Sequence, residues 1–460
     1  MSPPNVGDLP RLPESASSVA AHIFDVVIVG AGPAGSAAAL AALQSNPAAR
    51  VALVDASDFP RDKTCGDGIA PQALQELAAL GVPDAAAGFA PVGRLRLRSP
   101  LGREVLAEPR QAAYCIPREV FDDRLVKAAV SRGAVLIKKR IRTLTIVDGG
   151  VQLTPDLVGR VVIGADGANS TVRRLLGLAP NTPEHCAVAM RGYANGIAGE
   201  PEQLIEMVAE GWPAYAWSFP IDGPGHQHRA NVGFGMLRST LANRAEGGRA
   251  VLENTLAEML PGQPADAPTL RAHLLPLSTS RPRQPAGRVL LVGDAASLIN
   301  PLTGEGIYYA VLSGRLAGMA AVTPGGAEAG AVYRRSLRRE LGLHLATTSL
   351  LSRLSRSPEI FDAGLALASR DRATMDALVE VGLGRGTLPP ALAFRLLRRA
   401  APLGARRLAH LAGSKVGLSG RRSTPSDQRK FIHVRRLLAS RVHSRRRAPA
   451  PRDFHRRPKL

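Results

Sequence analysis

An apolar run that leads into three closely spaced glycines, residues 25–35 (DVVIVGAGPAG), constrains this chain more than any other feature. The run predicts a buried strand, and Gly30 permits a tight turn after it. Gly32 lets the backbone approach a phosphate, and Gly35 lets the next helix, predicted over residues 36–43, pack closely on the strand. The free N–H groups at the start of that helix can bind phosphate oxygens.

A second strand and a terminal acid complete this pattern. Residues 51–54 form another apolar run, which ends at Asp55. An acid at this place accepts hydrogen bonds from the ribose hydroxyls of an adenosine. The strand, turn, helix and acid together predict a Rossmann-type α/β domain that binds a dinucleotide.

Two later segments extend the pattern, namely residues 161–177 (VVIGADGANSTVRRLLG) and 288–306 (RVLLVGDAASLINPLTGEG). Each is an apolar run that ends in an acid beside glycine or alanine, which predicts further strands of the same parallel sheet. With the first motif, and in this order, they closely resemble the three FAD signatures of the p-hydroxybenzoate hydroxylase class of flavoproteins.

This resemblance implies FAD as the cofactor and assigns contacts to the second and third signatures. Asp166 and Gly167 would lie near the pyrophosphate and the route of NADPH or NADH. Gly293 and Asp294 would hold the ribityl chain. The residues placed against the flavin ring are Pro301, Gly304 and Gly306.

Three more segments carry a narrower resemblance: residues 61–68 (RDKTCGDG), 213–220 (PAYAWSFP) and 300–307 (NPLTGEGI). They resemble the geranylgeranyl reductase family, and most of all its menaquinone-reducing branch. The likeness covers residues 24–320. It implies an FAD-dependent, NAD(P)H-driven reduction of a double bond in a lipophilic, polyprenyl-bearing substrate, either a prenylated quinone or quinolone or an isoprenoid lipid.

Alternation in the aromatic segment predicts a strand. Tyr215, Trp217 and Phe219 alternate with small residues, so a strand places the three rings on one face. Residues 229–236 supply a returning partner across a turn at 222–225. The rings form either the core face of a sheet or the wall of a lipophilic pocket, and the family resemblance favours the pocket wall.

Cys65 is the candidate catalytic residue. Its neighbours Arg61 and Lys63 favour a thiolate. The resemblance places a cysteine here near the flavin, where it could position the substrate or relay a proton; the alternative is a small residue packed under the loop. Three cysteines without a recognisable pairing predict a reducing, cytoplasmic location, with two of them buried and free: Cys115 and Cys186.

Other polar segments carry weaker signals. Residues 118–125 (REVFDDRL) predict a helix start, and in the flavoprotein class an arginine at the place of Arg118 reaches the FAD phosphates; the alternative is a solvated arginine at a helix end. His226 and His228 lie in a Gly-Pro turn and predict no metal site. Residues 382–386 (GLGRG) follow a helical pattern and predict a helix break.

The predicted organisation is a split cofactor domain with an inserted, antiparallel substrate sheet, a helical C-terminal region and a disordered basic tail. The cofactor domain is predicted at residues 24–90, 115–178 and 286–325, and the substrate sheet at 91–114 and 179–285. The helical region is predicted at 326–415 and the tail at 416–460.

Positive charge is concentrated at the C-terminal end. Residues 421–460 hold 14 Lys and Arg against 2 Asp and Glu, so this segment carries +12 of the chain's net charge of +21. This composition predicts disorder, and the absence of interleaved aromatics argues against nucleic acid as a partner. Residues 391–411 alternate leucine with arginine, which predicts either contact with an anionic membrane surface or a helix packed on the domain. The N-terminus predicts no signal peptide, and no apolar run is long enough to span a bilayer.

The same FAD signatures leave two other functions open. One is a class A flavin monooxygenase that hydroxylates or epoxidises an aromatic or prenylated secondary metabolite through a C4a-hydroperoxide. The other is a scaffold or cyclase in which FAD shapes a lipophilic cavity without turnover. The resemblance at Cys65 and at residues 213–220 favours the reductase.

Overall fold

The structure, a computed structural model, describes residues 22–195, 201–208, 211–225, 228–242, 248–260, 262–263, 265–389, 391–393, 395 and 398. Its strands are β1 (His22–Val29), β2 (Val51–Asp55), β3 (Gly68–Ile69), β4 (Leu95–Arg98), β5 (Glu104–Ala107), β6 (Tyr114–Cys115), β7 (Val135–Lys138), β8 (Thr145–Val147), β9 (Gly150–Thr154), β10 (Leu157–Gly164), β11 (Cys186–Asn195), β12 (Gln203–Val208), β13 (Ala214–Ile221), β14 (Arg229–Leu237), β15 (Arg271–Pro276) and β16 (Val289–Leu291). Its helices are α1 (Pro33–Ser45), α2 (Pro71–Ala79), α3 (Arg118–Ser131), α4 (Thr171–Leu175), α5 (Arg238–Ala242), α6 (Gly248–Met259), α7 (Ile307–Ala321), α8 (Ala329–Leu354), α9 (Pro358–Ala368) and α10 (Arg372–Leu383).

The first sheet contains the strands of all three predicted signatures. Its order is β7-β2-β1-β10-β9-β8, and β16 pairs with β10. β1 runs parallel to β2 and β10, with Val26 opposite both Val51 and Val161. β16 is also parallel to β10. The carboxyl ends of the signature strands therefore meet at one edge of the sheet, as predicted.

Small residues let two helices of this domain approach closely. α1 is rich in alanine, and α7 carries Gly314 and Gly318. A Cβ on Gly314 would lie 2.1 Å from the carbonyl oxygen of Ala34, and one on Gly318 would lie 2.2 Å from that of Ala38. Because α1 follows the first signature and α7 follows the third, this packing brings the two signatures together.

The second sheet has the order β15-β11-β14-β13-β12-β4-β5. The predicted aromatic strand is β13, and its predicted partner β14 pairs with it in antiparallel register, with Trp217 opposite Gly233. A Cβ on Gly233 would lie 2.1 Å from the indole ring, so glycine is needed beside this tryptophan. Helix α6 packs against the sheet through Leu252 and Leu256.

The described part of the C-terminal region is helical, as predicted, and includes α8, α9 and α10. Leu365 and Met375 of this region form a small apolar cluster with Val105 and Ala107 of β5. The helix break predicted at residues 382–386 is confirmed, because α10 ends at Leu383.

Several predictions are not tested by the fold. The domain boundaries stay predictions. The basic stretch 391–411 lies outside the described residues apart from a few positions at its start, and the tail 416–460 lies wholly outside them. In the part of the chain that the structure describes, no helix combines the length and apolar character needed to cross a bilayer.

Candidate active site

A cavity of about 810 Å³ lies where the signature strands end. Its wall combines the three signatures with the Cys65 loop and the aromatic strand. The predicted site residues that line it are Gly30, Gly32, Asp55, Cys65, Arg118, Asp166, Gly167, Tyr215, Trp217, Phe219, Asp294, Gly304 and Gly306. Those absent from its lining are Gly35, Gly293 and Pro301.

The first glycine motif divides into packing and open positions. Gly30 has a φ of +104°, and a Cβ there would lie 2.3 Å from the carbonyl oxygen of Ala165. A Cβ on Gly35 would lie 1.8 Å from the carbonyl oxygen of Gly30. At Gly32 the nearest atom to a Cβ would be a guanidinium nitrogen of Arg61, 3.7 Å away. Space beside a helix N-terminus and an arginine fits a phosphate group.

Two guanidinium groups flank this space. Arg118 is buried at the first turn of α3 and donates two hydrogen bonds, of 2.6 and 2.8 Å, to the carboxylate of Asp122. Arg61 lies 3.3 Å from the same carboxylate. The alternative of a solvated Arg118 is therefore wrong. Asp55, at the end of β2, accepts the N–H of Ala31 at 2.8 Å, which holds its carboxylate at the cavity wall.

The second signature combines a helix cap with an open turn. The carboxylate of Asp166 accepts hydrogen bonds from the Ser170 hydroxyl at 2.5 Å and from the N–H of Thr171 at 2.6 Å, and so caps α4. Gly167 has a φ of +76° and open space in front of it. The acid therefore shapes the turn, while the glycine keeps the cavity accessible there.

The third signature brings an acid to the cavity. Gly293 packs between α1 and α7 and has a φ of +54°. Burial raises the pKa of Asp294, while the nearby charges of Lys63 and Arg118 act in the opposite direction. A Cβ on Gly306 would lie 3.6 Å from Asp294 Oδ1.

The loop of this signature is also tied to the C-terminal helices. The hydroxyl of Thr303 donates to the carbonyl oxygen of Gly382 at 2.7 Å. The side-chain amide of Asn300 donates to the carbonyl oxygen of Val381 at 2.9 Å. The end of α10 therefore supports the third-signature loop from behind.

The three predicted aromatics form one wall of the cavity. The ring centroids of Tyr215 and Trp217 are 5.9 Å apart, and those of Trp217 and Phe219 are 6.4 Å apart. The Tyr215 hydroxyl donates to the carbonyl oxygen of Thr303 at 2.6 Å, and the Trp217 indole N–H donates to Asn231 Oδ1 at 2.9 Å. Both rings are therefore fixed by hydrogen bonds as well as by packing.

Cys65 lines the cavity as a thiol. Burial is the largest influence and raises its pKa, and the adjacent Arg118 guanidinium offsets only part of that rise. The thiolate predicted from Arg61 and Lys63 is therefore wrong, because desolvation outweighs the nearby positive charge. The other cysteines are buried and free, as predicted: Cys115 and Cys186.

A buried polar network behind Cys65 was not predicted. The side-chain amide of Asn231 donates to the carbonyl oxygen of Cys65 and to Asp67 Oδ2, both at 2.8 Å. The Tyr193 hydroxyl donates to the same Asp67 oxygen at 2.7 Å. Burial raises the pKa of Asp67 to about 6. The available signal was an asparagine among the small and apolar residues that follow Arg229 in β14. Asn231 joins the Cys65 loop to Trp217.

A half-buried pair of bases was also missed. Lys63 Nζ lies 2.8 Å from His273 Nε2, and both residues line the cavity. Burial and the charge of Lys63 lower the pKa of His273 to about 4, so its ring is neutral. Burial lowers the pKa of Lys63 as well. Nothing in the sequence links positions so far apart.

The cavity continues from the aromatic wall into a second region, here called the apolar arm. The arm lies between strands β4 and β12 of the second sheet and the C-terminal helices. Its aliphatic lining includes Leu97, Ile205, Ile360, Leu365, Met375 and Leu378. The C-terminal helices therefore form part of the site, which the sequence did not predict.

Of the two histidines of the Gly-Pro turn, the structure describes only His228, which does not line this cavity. His228 is exposed, and His226 lies outside the described residues. Within the described ranges, no cluster of His, Cys, Asp and Glu could hold a metal ion.

Comparison with known proteins identifies the family. A family model described as FAD binding domain matches residues 24–319. The chain is 32% identical over 389 residues to a menaquinone reductase of Mycolicibacterium smegmatis, a match that covers 78% of this chain and 90% of the relative. It is 34% identical over 317 residues to digeranylgeranylglycerophospholipid reductase 1 of Methanopyrus kandleri, with 65% and 80% covered. The chain belongs to the geranylgeranyl reductase family of FAD-dependent oxidoreductases.

Solved structures agree on the fold of this family member. A geranylgeranyl bacteriochlorophyll reductase-like protein from Thermoplasma acidophilum has a TM-score of 0.64 and 21% identity, covering 85% of this chain and 99% of its own. A flavin-dependent brominase has a TM-score of 0.60 and 17% identity, covering 84% and 100%. At these identities the likeness shows the fold alone.

The cavity fits FAD. The space at Gly32 beside Arg118 suits a pyrophosphate, Asp55 ends the strand where a ribose would lie, and Asp294 faces the cavity near Gly306. The individual contacts to the cofactor stay predictions. When bound, FAD supplies the hydride chemistry of the oxidoreductase.

Proposed function

We propose that the protein saturates a double bond in the polyprenyl chain of a lipophilic substrate, with electrons that pass from NAD(P)H to FAD. The observation that carries this proposal is the apolar arm. It is part of the same cavity as the cofactor signatures and begins at the aromatic wall. A chain in the arm would therefore reach from the C-terminal helices to the flavin.

The lining of the arm suits isoprene units. Each unit is a branched hydrocarbon, and burial of its surface against aliphatic side chains contributes about 25 cal/mol per Å². Leu365 and Met375 are themselves largely buried, so this wall is set by packing with β5. A preformed aliphatic wall orders the chain at little conformational cost to the protein.

The names of the relatives support an isoprenoid substrate. One relative is named for menaquinone and another for a digeranylgeranylglycerophospholipid. The head groups of these molecules differ, while both carry isoprene units. We therefore propose that this protein also recognises the chain more than the head group.

The residues at the wall position the substrate. Asn231 and Thr303 fix the indole of Trp217 and the ring of Tyr215, so the chain meets a rigid surface. Cys65, a thiol, can donate a hydrogen bond or a proton from the same side. The NAD(P)H nicotinamide would dock transiently near Gly167, where the turn leaves open space.

Membrane contact is a part of this proposal that concerns residues 391–411. Its basic and leucine-rich sequence suits an anionic membrane surface, where polyprenyl substrates reside. Cosedimentation with anionic and neutral vesicles at low and high salt tests it, with salt-sensitive binding to anionic vesicles alone as the expected result.

The experiment on the reaction uses purified, FAD-loaded protein. The protein is reduced anaerobically with NADPH or NADH and mixed with a polyprenyl quinone, and the flavin absorbance and product mass are followed. We expect reoxidation without oxygen and a product heavier by two hydrogen atoms. A quinone with the same head group and no prenyl chain is the control for direct reduction of the head group.

The same samples distinguish the other functions. A transient flavin adduct on mixing with oxygen, with incorporation of an oxygen atom into the substrate, would show a monooxygenase. If NAD(P)H does not bleach the flavin absorbance, FAD is not reduced, and the scaffold or cyclase remains as the function. Either result overturns the proposed reductase.

A further inference from the structure

Glu305 is a cavity residue to which neither the motifs nor the polar network assigns a role. It lies in the loop between Gly304 and Gly306, directly before α7, and lines the same cavity as Cys65 and Tyr215. Its Oε1 accepts the N–H of Tyr308 at 2.7 Å. The carboxyl group is therefore held in place at the flavin end of the cavity by a backbone group and not by a cation.

The surroundings of Glu305 favour its acid form. Among the described residues it forms no ion pair with a lysine, arginine or histidine. The titratable groups that interact with it are Tyr215 on β13 and Tyr309 on α7, and burial keeps both tyrosines neutral. Burial raises the pKa of Glu305 to about 7, although the N–H groups of Ile307 and Tyr308 favour the carboxylate.

We propose that Glu305 is the proton donor for saturation of the prenyl double bond. This inference rests on the proposed function and deepens it. The hydride supplied by reduced FAD forms a C–H bond at one carbon of the double bond as the π bond breaks. The O–H bond of Glu305 breaks, and its proton forms the C–H bond at the other carbon. FAD is left oxidised and Glu305 ionised, and water returns the proton.

Cys65 fits this role less well. Its thiol pKa lies above the ordinary value of a cysteine, whereas a proton donor works best when its pKa lies near the pH of the reaction. Its backbone carbonyl is bonded to Asn231. These contacts suit a residue that positions the substrate against the aromatic wall.

The test uses FAD-loaded wild-type protein, Glu305→Gln, Glu305→Asp and Cys65→Ser. Glutamine keeps the oxygen that accepts the Tyr308 N–H, so the cap of α7 is retained. Glu253→Gln, on α6 and outside the cavity, is the matched control. Each protein is reduced anaerobically and mixed with a polyprenyl quinone, and the rate of substrate-dependent flavin reoxidation is measured from pH 5.5 to 8.5.

For Glu305→Gln we expect reoxidation to slow by at least about 100-fold, since general acid catalysis contributes roughly 10² to 10⁴. Glu305→Asp should recover part of the rate. The wild-type rate should fall about tenfold per pH unit above pH 7, because the acid form is consumed there, and the Glu305→Gln rate should not. Cys65→Ser and Glu253→Gln should keep the wild-type pH profile.

Three results would overturn the inference. One is a Glu305→Gln rate within threefold of the wild type. Another is a wild-type pH profile retained in that variant. The third is loss of FAD or of thermal stability in Glu305→Gln, which would make Glu305 structural. If wild-type protein saturates no prenyl chain, the proposed function itself fails; if it does and Glu305→Gln does so equally well, only this inference fails.

Discussion

The two ends of the cavity are built in different ways. The cofactor end consists of short loops at the ends of adjacent parallel strands, and its shape is set by backbone atoms around glycines such as Gly30 and Gly35. The apolar arm consists of side chains from β4, β12 and the C-terminal helices, which are far apart in sequence.

This difference predicts which positions of the cavity tolerate amino-acid substitution. A position whose Cβ would meet a backbone atom cannot accept a larger residue, because the backbone has no rotamer to change. An aliphatic side chain in the arm can be replaced by another of similar volume at a cost below about 1.5 kcal/mol. The cofactor should therefore be fixed across related chains, and substrate preference should vary.

The largest effect is expected at the cofactor end. Gly35→Ala places a Cβ against the carbonyl oxygen of Gly30, and we expect no folded, yellow protein. In Gly32→Ala the nearest protein atom to the added methyl group lies 3.7 Å away, so the protein should fold but bind FAD at least about 100-fold more weakly. Thermal unfolding shows whether each variant is folded, and FAD titration measures its affinity for the cofactor. Full FAD content in Gly32→Ala would show that no phosphate approaches this glycine.

The second-largest effect is expected at Asn231, which joins the Cys65 loop to Trp217 between the two ends of the cavity. Asn231→Leu leaves the Trp217 indole N–H and the Cys65 carbonyl oxygen without their Asn231 partner. It also removes one of the two hydrogen bonds to Asp67 Oδ2, so it should lower the free energy of unfolding by about 2–4 kcal/mol. Urea unfolding measures it. The control is Asn195→Leu on β11, an exposed asparagine, for which a change above about 0.5 kcal/mol is not expected.

Asp67, which accepts a hydrogen bond from Asn231, should make the free energy of unfolding depend on pH. The folded pKa of Asp67, about 6, lies above its ordinary value of 3.8, so the folded state holds the proton more tightly. Its contribution to stability is therefore favourable near pH 4, falls as the pH rises to 6, and is constant above that. The change amounts to at most about 3 kcal/mol. Urea unfolding of Asp67→Asn across this range should lack it; an unchanged pH profile would contradict the shift.

The smallest effect is expected in the arm. Ile360→Trp narrows the arm on the α9 side, and should reduce kcat/KM for a long polyprenyl substrate about tenfold, equivalent to 1.4 kcal/mol. FAD content and turnover of a substrate with a single isoprene unit should not change. Steady-state kinetics with the two chain lengths checks this, and an equal loss for both would place the substrate elsewhere.

The same contrast explains what the sequence could predict. The strands within residues 25–35 and at 51–54 could be predicted because strand, glycine turn and helix are adjacent in the chain. The parallel pairing of β1, β10 and β16 followed from the repeated pattern. The contact of Asn231 with Cys65 joins positions 166 residues apart, and no local pattern encodes it.

Burial was the other property hidden from sequence. The pKa of Cys65 depends on desolvation, which the neighbouring cations Arg61 and Lys63 could not reveal. The role of Asp166 as a helix cap likewise depends on where its carboxylate points. The helices of the C-terminal region were predicted, but not the face that they present to the cavity.

The bonds from Thr303 and Asn300 to the end of α10 bear on how this family can diversify. The matched family segment ends at residue 319, yet its last signature is buttressed by residues beyond 380. A chimera that grafts the C-terminal helices of one relative onto the flavin segment of another would have to match those carbonyl groups. The C-terminal helices and the third-signature loop should therefore be inherited as one block.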